Sequence, residues 1–231
     1  MIDFTFAHRK EGFDNHINLS IRGYNDLLDD VVNFSRCFVE NETNVVDIGC
    51  STGKITERLI NYNKDFCNGA YYIGIEIADG FSDVLDNRKK EINEKYPATH
   101  VEFIKDNVKF YKFTNCSLIT SIFTLQFMSK KDRQQSIKNI YNGLNEGGAF
   151  IFSEKIDCKS SRIHDMMVFN YYDFKRKKFS ADDILDKERM LRHMLKPNTW
   201  DEIKTMILSS GFQSIQIFWQ NHIFIGVIAI K

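Results

Sequence analysis

Polar and apolar positions alternate between two periods through the middle of the chain. Short apolar or β-branched runs at "NVVDI" (44–48), "AYYIGIE" (70–76), "HVEFI" (100–104), "SLITSIFTL" (117–125) and "AFIFSEK" (149–155) predict five strands. Between them, "GKITERLINYN" (53–63), "FSDVLDNRKKEINEKY" (81–96) and "KKDRQQSIKNIYNGL" (130–144) carry helical spacing. Pro97 ends the second of these and "NEGG" the third. Apolar strands alternating with amphipathic helices predict an α/β fold, a doubly wound, mostly parallel sheet with both faces covered. Upstream, Leu27, Leu28, Val31, Val32, Phe34 and Phe38 predict a helix over 24–39, and residues 1–23 read as an irregular arm. Downstream, 161–210 reads as mostly helical. The tail 212–231 reads as two strands about a turn at Gln220–Asn221, so the sheet ends in an antiparallel hairpin.

Composition narrows this little. A chain of 231 residues builds one sizeable core, and its two prolines, Pro97 and Pro197, form no linker. The expectation is one domain over 1–231: arm and helix (1–43), Rossmann-like core (44–155), helical insertion (156–211) and C-terminal hairpin (212–231). With 20 Phe and 13% aromatic residues the core is bulky. The formal net charge of +0 gives no long-range field for nucleic acid or an anionic membrane, so direct binding of either is not expected. Cys37, Cys50, Cys67, Cys116 and Cys158 are odd in number and widely spaced, with no CxxC. They predict reduced thiols in a cytoplasmic protein and no metal site. No apolar run reaches the roughly 18 residues of a membrane span, and "MIDFTFAHRKEGF" lacks a signal-peptide core.

The chemistry is concentrated in "VVDIGCSTGKIT" (45–56), a strand, a glycine turn and a helix start. A phosphate loop needs four residues between its glycines and a hydroxyl after the lysine. Here three residues separate Gly49 from Gly53, and Ile55 follows Lys54. A dinucleotide turn needs a glycine where Ser51 stands. A third arrangement fits. Asp47 ends the first strand, a glycine turn follows, and Glu76 ends the second strand. Glu76 can accept both hydroxyls of a ribose, Asp47 can face an amino group, and Gly49 and Gly53 allow close backbone approach. A nucleoside with an amino-acid tail and no pyrophosphate has that shape, namely S-adenosylmethionine.

The set resembles motif I of class I methyltransferases, with "YIGIE" as its acidic second-strand motif. The second half is similar to the carboxy-S-adenosylmethionine synthase family, through "FTLQF" (123–127), "GLNEGGA" (143–149), "SEK" (153–155), "DFKR" (173–176) and "ERMLRHML" (188–195). The likeness covers about nine tenths of the chain. It implies a class I methyltransferase fold, a homodimer, no metal, and a reaction in which prephenate gives up a carboxyl group to the sulfonium methyl carbon. The carboxylated product serves wobble-uridine modification in tRNA. The resemblance carries over Tyr24, Gly49, Cys50, Ser51 and Glu76 as cofactor-binding positions, with Ile77 beside the acid, Asp106, Asn107 and Val108 near the adenine, and Ile122 where the family has asparagine.

The family's carboxylate-binding arginine falls on Glu188 or Arg189, depending on where a one-residue gap lies. A glutamate repels a carboxylate, whereas an arginine holds it through two parallel hydrogen bonds. Arg189 with Tyr24 is therefore the expected catalytic pair. A cavity lined by Arg189, Arg192 and Tyr24 favours carboxyl transfer, and an apolar one favours a conventional methyltransferase acting on a small molecule. The absence of a cavity favours a non-catalytic S-adenosylmethionine-binding dimer. His16, His164 and His193 are generic proton-transfer candidates, "KRKK" (175–178) reads as a solvated helix end or an anion site, Tyr171 and Tyr172 read as core or as pocket lining, and Trp200 and Trp219 read as packing residues.

Overall fold

The fold is set by one sheet, which a computed structural model describes over residues 12–231. Strands β1 (Asn44–Ile48), β2 (Tyr71–Glu76), β3 (His100–Lys105), β4 (Cys116–Ile122) and β5 (Leu144–Asp157) pair in parallel in the order β3-β2-β1-β4-β5. β7 (Ser214–Asn221) and β8 (Phe224–Ile230) extend it, with β8 antiparallel to both β5 and β7. The two-residue β6 (Asn198–Thr199) pairs with the end of β5. The strand order reverses between β1 and β4, which opens a crevice at their carboxyl ends.

Both faces are covered. On one, α1 (Phe13–Ser20), α2 (Tyr24–Ser35), α3 (Lys54–Asn63) and α6 (Ser161–Lys175) contribute to a core around Leu27, Leu59, Leu118 and Ile151. On the other, α5 (Lys130–Gly143) and α8 (Trp200–Ser210) cover Val46, Ile119, Phe150 and Phe152. α4 (Ser82–Lys95) connects β2 to β3, and α7 (Ala181–Met194) belongs to the insertion after β5. Trp200 and Trp219 pack against these two cores, as expected. Lys175 of "KRKK" is buried against the Tyr171 ring, and the residues after it are exposed.

Four boundaries differ from the expectation. Part of the predicted arm is helical, because Asp14 anchors α1 to Thr52 and Phe13 packs on Phe81, contacts distant in sequence. The rest of that prediction falls on residues 1–11, outside those described. β4 stops at Ile122, three residues early, because Phe123 turns into the left-handed region at φ 55°. β5 begins at Leu144, directly after α5, so "NEGG" lies inside the strand. Gly143 is the last helical residue, and a Cβ there would come within 2.2 Å of Phe113 Cβ. The hairpin turns at His222–Ile223, with His222 at φ 50°, rather than at Gln220–Asn221, which complete β7.

Candidate active site

A cavity of about 430 Å³ opens at the β1–β4 crevice. Its floor begins at the glycine turn. Gly49 N and Cys50 N both donate to Ile75 O, at 2.7 and 3.1 Å, which holds the turn on the end of β2. Gly49 sits at φ 70°, and a Cβ there would lie 2.3 Å from Thr124 Oγ1. No other residue lets these two strand ends approach so closely. Ser51, at φ 52°, donates its N–H to Glu76 Oε2 at 2.9 Å, and Ile77 and Ala78 donate to Glu76 Oε1, also at 2.9 Å. Burial pushes the Glu76 carboxyl upward in pKa and these three N–H groups pull it back. Oε1 is filled by two backbone donors, and Oε2 keeps a lone pair for a ligand hydroxyl.

Beyond β3, Asp106 Oδ1 accepts from Asn107 N at 2.6 Å, and Asn107 Oδ1 accepts from Lys109 N at 3.0 Å. The Asn107 amide nitrogen and Asp106 Oδ2 remain to meet the edge of a heterocycle. Gly49, Ser51, Glu76, Ile77, Asp106, Asn107, Val108 and Ile122 all line the cavity. Eight of the expected positions are therefore brought together by elements from four different strand ends.

Five are not. Asp47 is 2% exposed, and its oxygens accept from Thr56 Oγ1 at 3.0 Å and Thr120 Oγ1 at 2.9 Å. It ties β1 to α3 and β4 and does not line the cavity. Cys50 packs with Phe81 and Leu85. Gly53 starts α3 at φ 71° and makes room for Phe103, which a Cβ would meet at 2.7 Å. Tyr24 is buried one layer behind the wall, stacked on the cavity residue Phe123 with centroids 6.3 Å apart. Burial, with Asp14 and Asp47 nearby, drives its phenol well above the ordinary range. Arg189 points away from the cavity: its side chain is 78% exposed and pairs with Asp186 at 3.2 Å. The reason is helical phase. Glu188, Leu191 and Leu195 share the inward face, and Arg189 is turned about 100° from Glu188.

The far end of the cavity adds three polar groups, Lys155, Lys187 and Gln126, to those expected. Lys155 donates to Glu188 Oε2 at 3.3 Å, and Lys187 meets His16 Nε2. Gln126 Oε1 accepts from Lys155 N at 2.7 Å. Phe13, Ile17, Phe127, Met128, Tyr171 and Phe224 supply apolar walls, so Tyr171 is both packing and lining. Among the three histidines, His16 lines the cavity, while His164 Nδ1 accepts from Cys158 N away from it. Two signals were present in the sequence. Gln126 and Lys155 lie in the motifs that carried the resemblance, and the two-residue period of β5 puts Lys155 on the face of Ile151 and Ser153.

Asp47 yields a first prediction. Burial raises its carboxyl from 3.8 to about 6 against the two threonine hydroxyls. Between those values the folded state holds a proton that the unfolded state has released, so stability falls as pH rises through that window. Asp47→Asn is expected to remove this slope and to be more stable at neutral pH by about 1–3 kcal/mol. Urea denaturation across the window checks it. An unchanged slope contradicts the account of Asp47.

Among the described residues, no helix is long and apolar enough to cross a membrane, and no three His, Cys, Asp or Glu side chains form a metal-binding group. A methyltransferase-domain family model matches residues 46–150. The carboxy-S-adenosyl-L-methionine synthase of Staphylococcus epidermidis is 36% identical over 220 residues, 95% of this chain and 92% of that one. Its namesake in Shewanella sediminis is 28% identical over 99% of this chain and 93% of its own. Among solved structures, human N-acetylserotonin methyltransferase in complex with SAM superimposes with a TM-score of 0.58 at 13% identity, covering 88% of this chain and 51% of that one. Magnesium protoporphyrin IX methyltransferase from Synechocystis, with bound SAH, gives 0.60 at 12% identity, covering 90% and 83%. At such identities the likeness shows a class I methyltransferase fold.

Proposed function

The chain belongs to the carboxy-S-adenosyl-L-methionine synthase family, and from that premise we propose that it joins a carboxyl group from prephenate to the methyl carbon of S-adenosylmethionine. The observation that carries this reading is a single cavity containing both the Glu76 cradle and the half-buried cation Lys155. When bound, S-adenosylmethionine supplies a methyl carbon whose protons are acidified by the sulfonium. In the net reaction that carbon loses a proton and gains the carboxyl carbon. Prephenate loses its ring carboxyl and ring hydroxyl to become phenylpyruvate, and hydroxyl and proton leave as water.

The chain's own part is positioning. Glu76 takes a ribose hydroxyl through Oε2, Asp106 and Asn107 meet the adenine edge, and Val108, Ile77 and Ile122 give apolar contact. Gly49 and Ser51 bring the backbone close. α1 and α7 cover the cavity and keep water from the reacting carbon. Holding two reactants together in this way contributes up to roughly 7–11 kcal/mol to lowering a barrier.

One observation favours a second reading. Glu188, not an arginine, faces the cavity, as a conventional methyltransferase for a small molecule would allow. The cavity itself speaks against a non-catalytic binding protein. Incubation with S-adenosylmethionine and prephenate separates the readings. The synthase yields phenylpyruvate and S-adenosylmethionine heavier by carbon dioxide. Formation of neither product, with S-adenosylhomocysteine accumulating beside a methylated acceptor, would replace it by methyl transfer.

Within this reading the protein works in the cytoplasm, and its product is used by a separate enzyme that modifies tRNA wobble uridine. A homodimer is part of the same proposal. Ile163, Met166 and Phe169 on α6 are 49%, 64% and 67% exposed, an apolar face suited to a second copy. Phe169→Asp is expected to shift light scattering from dimer mass to monomer mass, and a monomeric wild type would contradict the dimer.

A further inference from the structure

The carboxyl end of the sheet is asymmetric around β4. Ser153 of β5 is the register partner of Ile122, and its Oγ accepts from Phe123 N at 3.2 Å. Lys155 is two residues further along the same face, so it stands just past the end of β4, in the crevice where ligands of such sheets bind. Its backbone is fixed by Gln126, and its side chain is 16% exposed. Glu188 reaches down from α7, itself 14% exposed. α7 is held in phase by a capping box, with Ser180 accepting from Asp183 N and Asp183 accepting from Ser180 N.

The Lys155–Glu188 pair is only partly satisfied. Glu188 Oε1 is buried and has no hydrogen-bond partner, and its Oε2 receives Lys155 at a long 3.3 Å. An ammonium carries three donors and can be shared by two carboxylates. A largely desolvated pair with spare hydrogen-bonding capacity is costly unless a ligand completes it. A ligand bearing both a sulfonium and a carboxylate does so with balanced charge. Two cations, Lys155 and the sulfonium, then face two anions, Glu188 and the ligand carboxylate.

Resting on the synthase reading, we infer that Lys155 holds the carboxylate of the carboxylated cofactor, and that Glu188 is the positioning residue that keeps Lys155 in place. On the gap placement that puts the family's arginine at Glu188, that position carries the counter-ion, and Lys155 of the shared "SEK" motif supplies the cation. A lysine binds as a point charge and lacks the planar fork of a guanidinium. The specificity lies in the distance between the nucleoside cradle and Lys155.

Calorimetric titration of the purified full chain, freed of bound ligand, with S-adenosylmethionine and separately with carboxy-S-adenosylmethionine tests this. Wild type is expected to prefer the carboxylated ligand. Lys155→Met is expected to keep its affinity for S-adenosylmethionine within about 2-fold and to lose roughly 30-fold or more for the carboxylated form. Lys155→Arg is expected to restore part of the preference. Glu188→Gln keeps an acceptor for Lys155 and removes a like charge, so it is expected to bind the carboxylated form more tightly. A merely structural pair would weaken both ligands equally in Lys155→Met, and that result overturns the assignment. If wild type prefers the carboxylated ligand and Lys155→Met keeps that preference, Lys155 is wrong and the synthase reading stands. If wild type shows no preference, the reading itself falls and takes the assignment with it.

Discussion

Arg133→Met is expected to destabilise the protein by about 3–5 kcal/mol, a large share of a typical domain's stability. Arg133 is 1% exposed in the core of α5. Its Nε donates to Leu125 O at 3.0 Å, and its other nitrogens donate to Lys196 O at 2.7 Å and to Asn198 Oδ1. Glu154 lies 3.7 Å away, 1% exposed, with neither oxygen hydrogen-bonded. Burial pushes the Glu154 carboxyl up to about 7, against the pull of Arg133. Without the guanidinium, Glu154 must either stay charged in an apolar core or bind a proton, and both cost free energy. The same change frees Leu125 and Lys196, which tether the "LQF" turn and the segment after α7. Arg133→Met/Glu154→Met, which removes both charges, is expected to recover most of the loss. Urea denaturation of the three variants measures this, and a single-variant loss below about 1 kcal/mol would contradict the clamp.

Glu76→Gln is expected to weaken S-adenosylmethionine binding roughly 30- to 150-fold, equivalent to about 2–3 kcal/mol. Both Glu76 oxygens already accept from the backbone of the glycine turn and of the segment after β2. An amide nitrogen in place of either oxygen faces a donor with a donor, so the cradle opens as the ribose contact is lost. Adenine, which has no ribose, is expected to bind both proteins alike. Calorimetry with the two ligands separates these effects. An equal loss for adenine would place the damage in the turn rather than in ribose recognition.

The parts of the site that were legible in the sequence are those fixed by local chemistry. "NVVDI" became β1 without adjustment, because a β-branched run bounded by a glycine turn has few other options. Gly49, Ser51 and Glu76 meet because parallel neighbours align their carboxyl ends. What was not legible depends on partners far along the chain. Asp47 looked like a ligand for a cation, but Thr120, 73 residues away, claims one of its oxygens. Tyr24 matched the family pattern, yet Phe123 stands between it and the cavity. The choice between Glu188 and Arg189 was a question of gap placement in the sequence and is one of helical phase in three dimensions. The "SEK" motif marks Lys155, but its pairing became visible only where α7 brings Glu188 over it.

The most direct test of the account is mass spectrometry of the small molecule released on denaturing the freshly purified protein. The expected release is an adenosyl compound with the mass of S-adenosylmethionine plus carbon dioxide, retained because Lys155 and the Glu76 cradle grip its two ends. Release of S-adenosylmethionine or S-adenosylhomocysteine alone, with no carboxylated product formed when prephenate is supplied, would contradict carboxyl transfer.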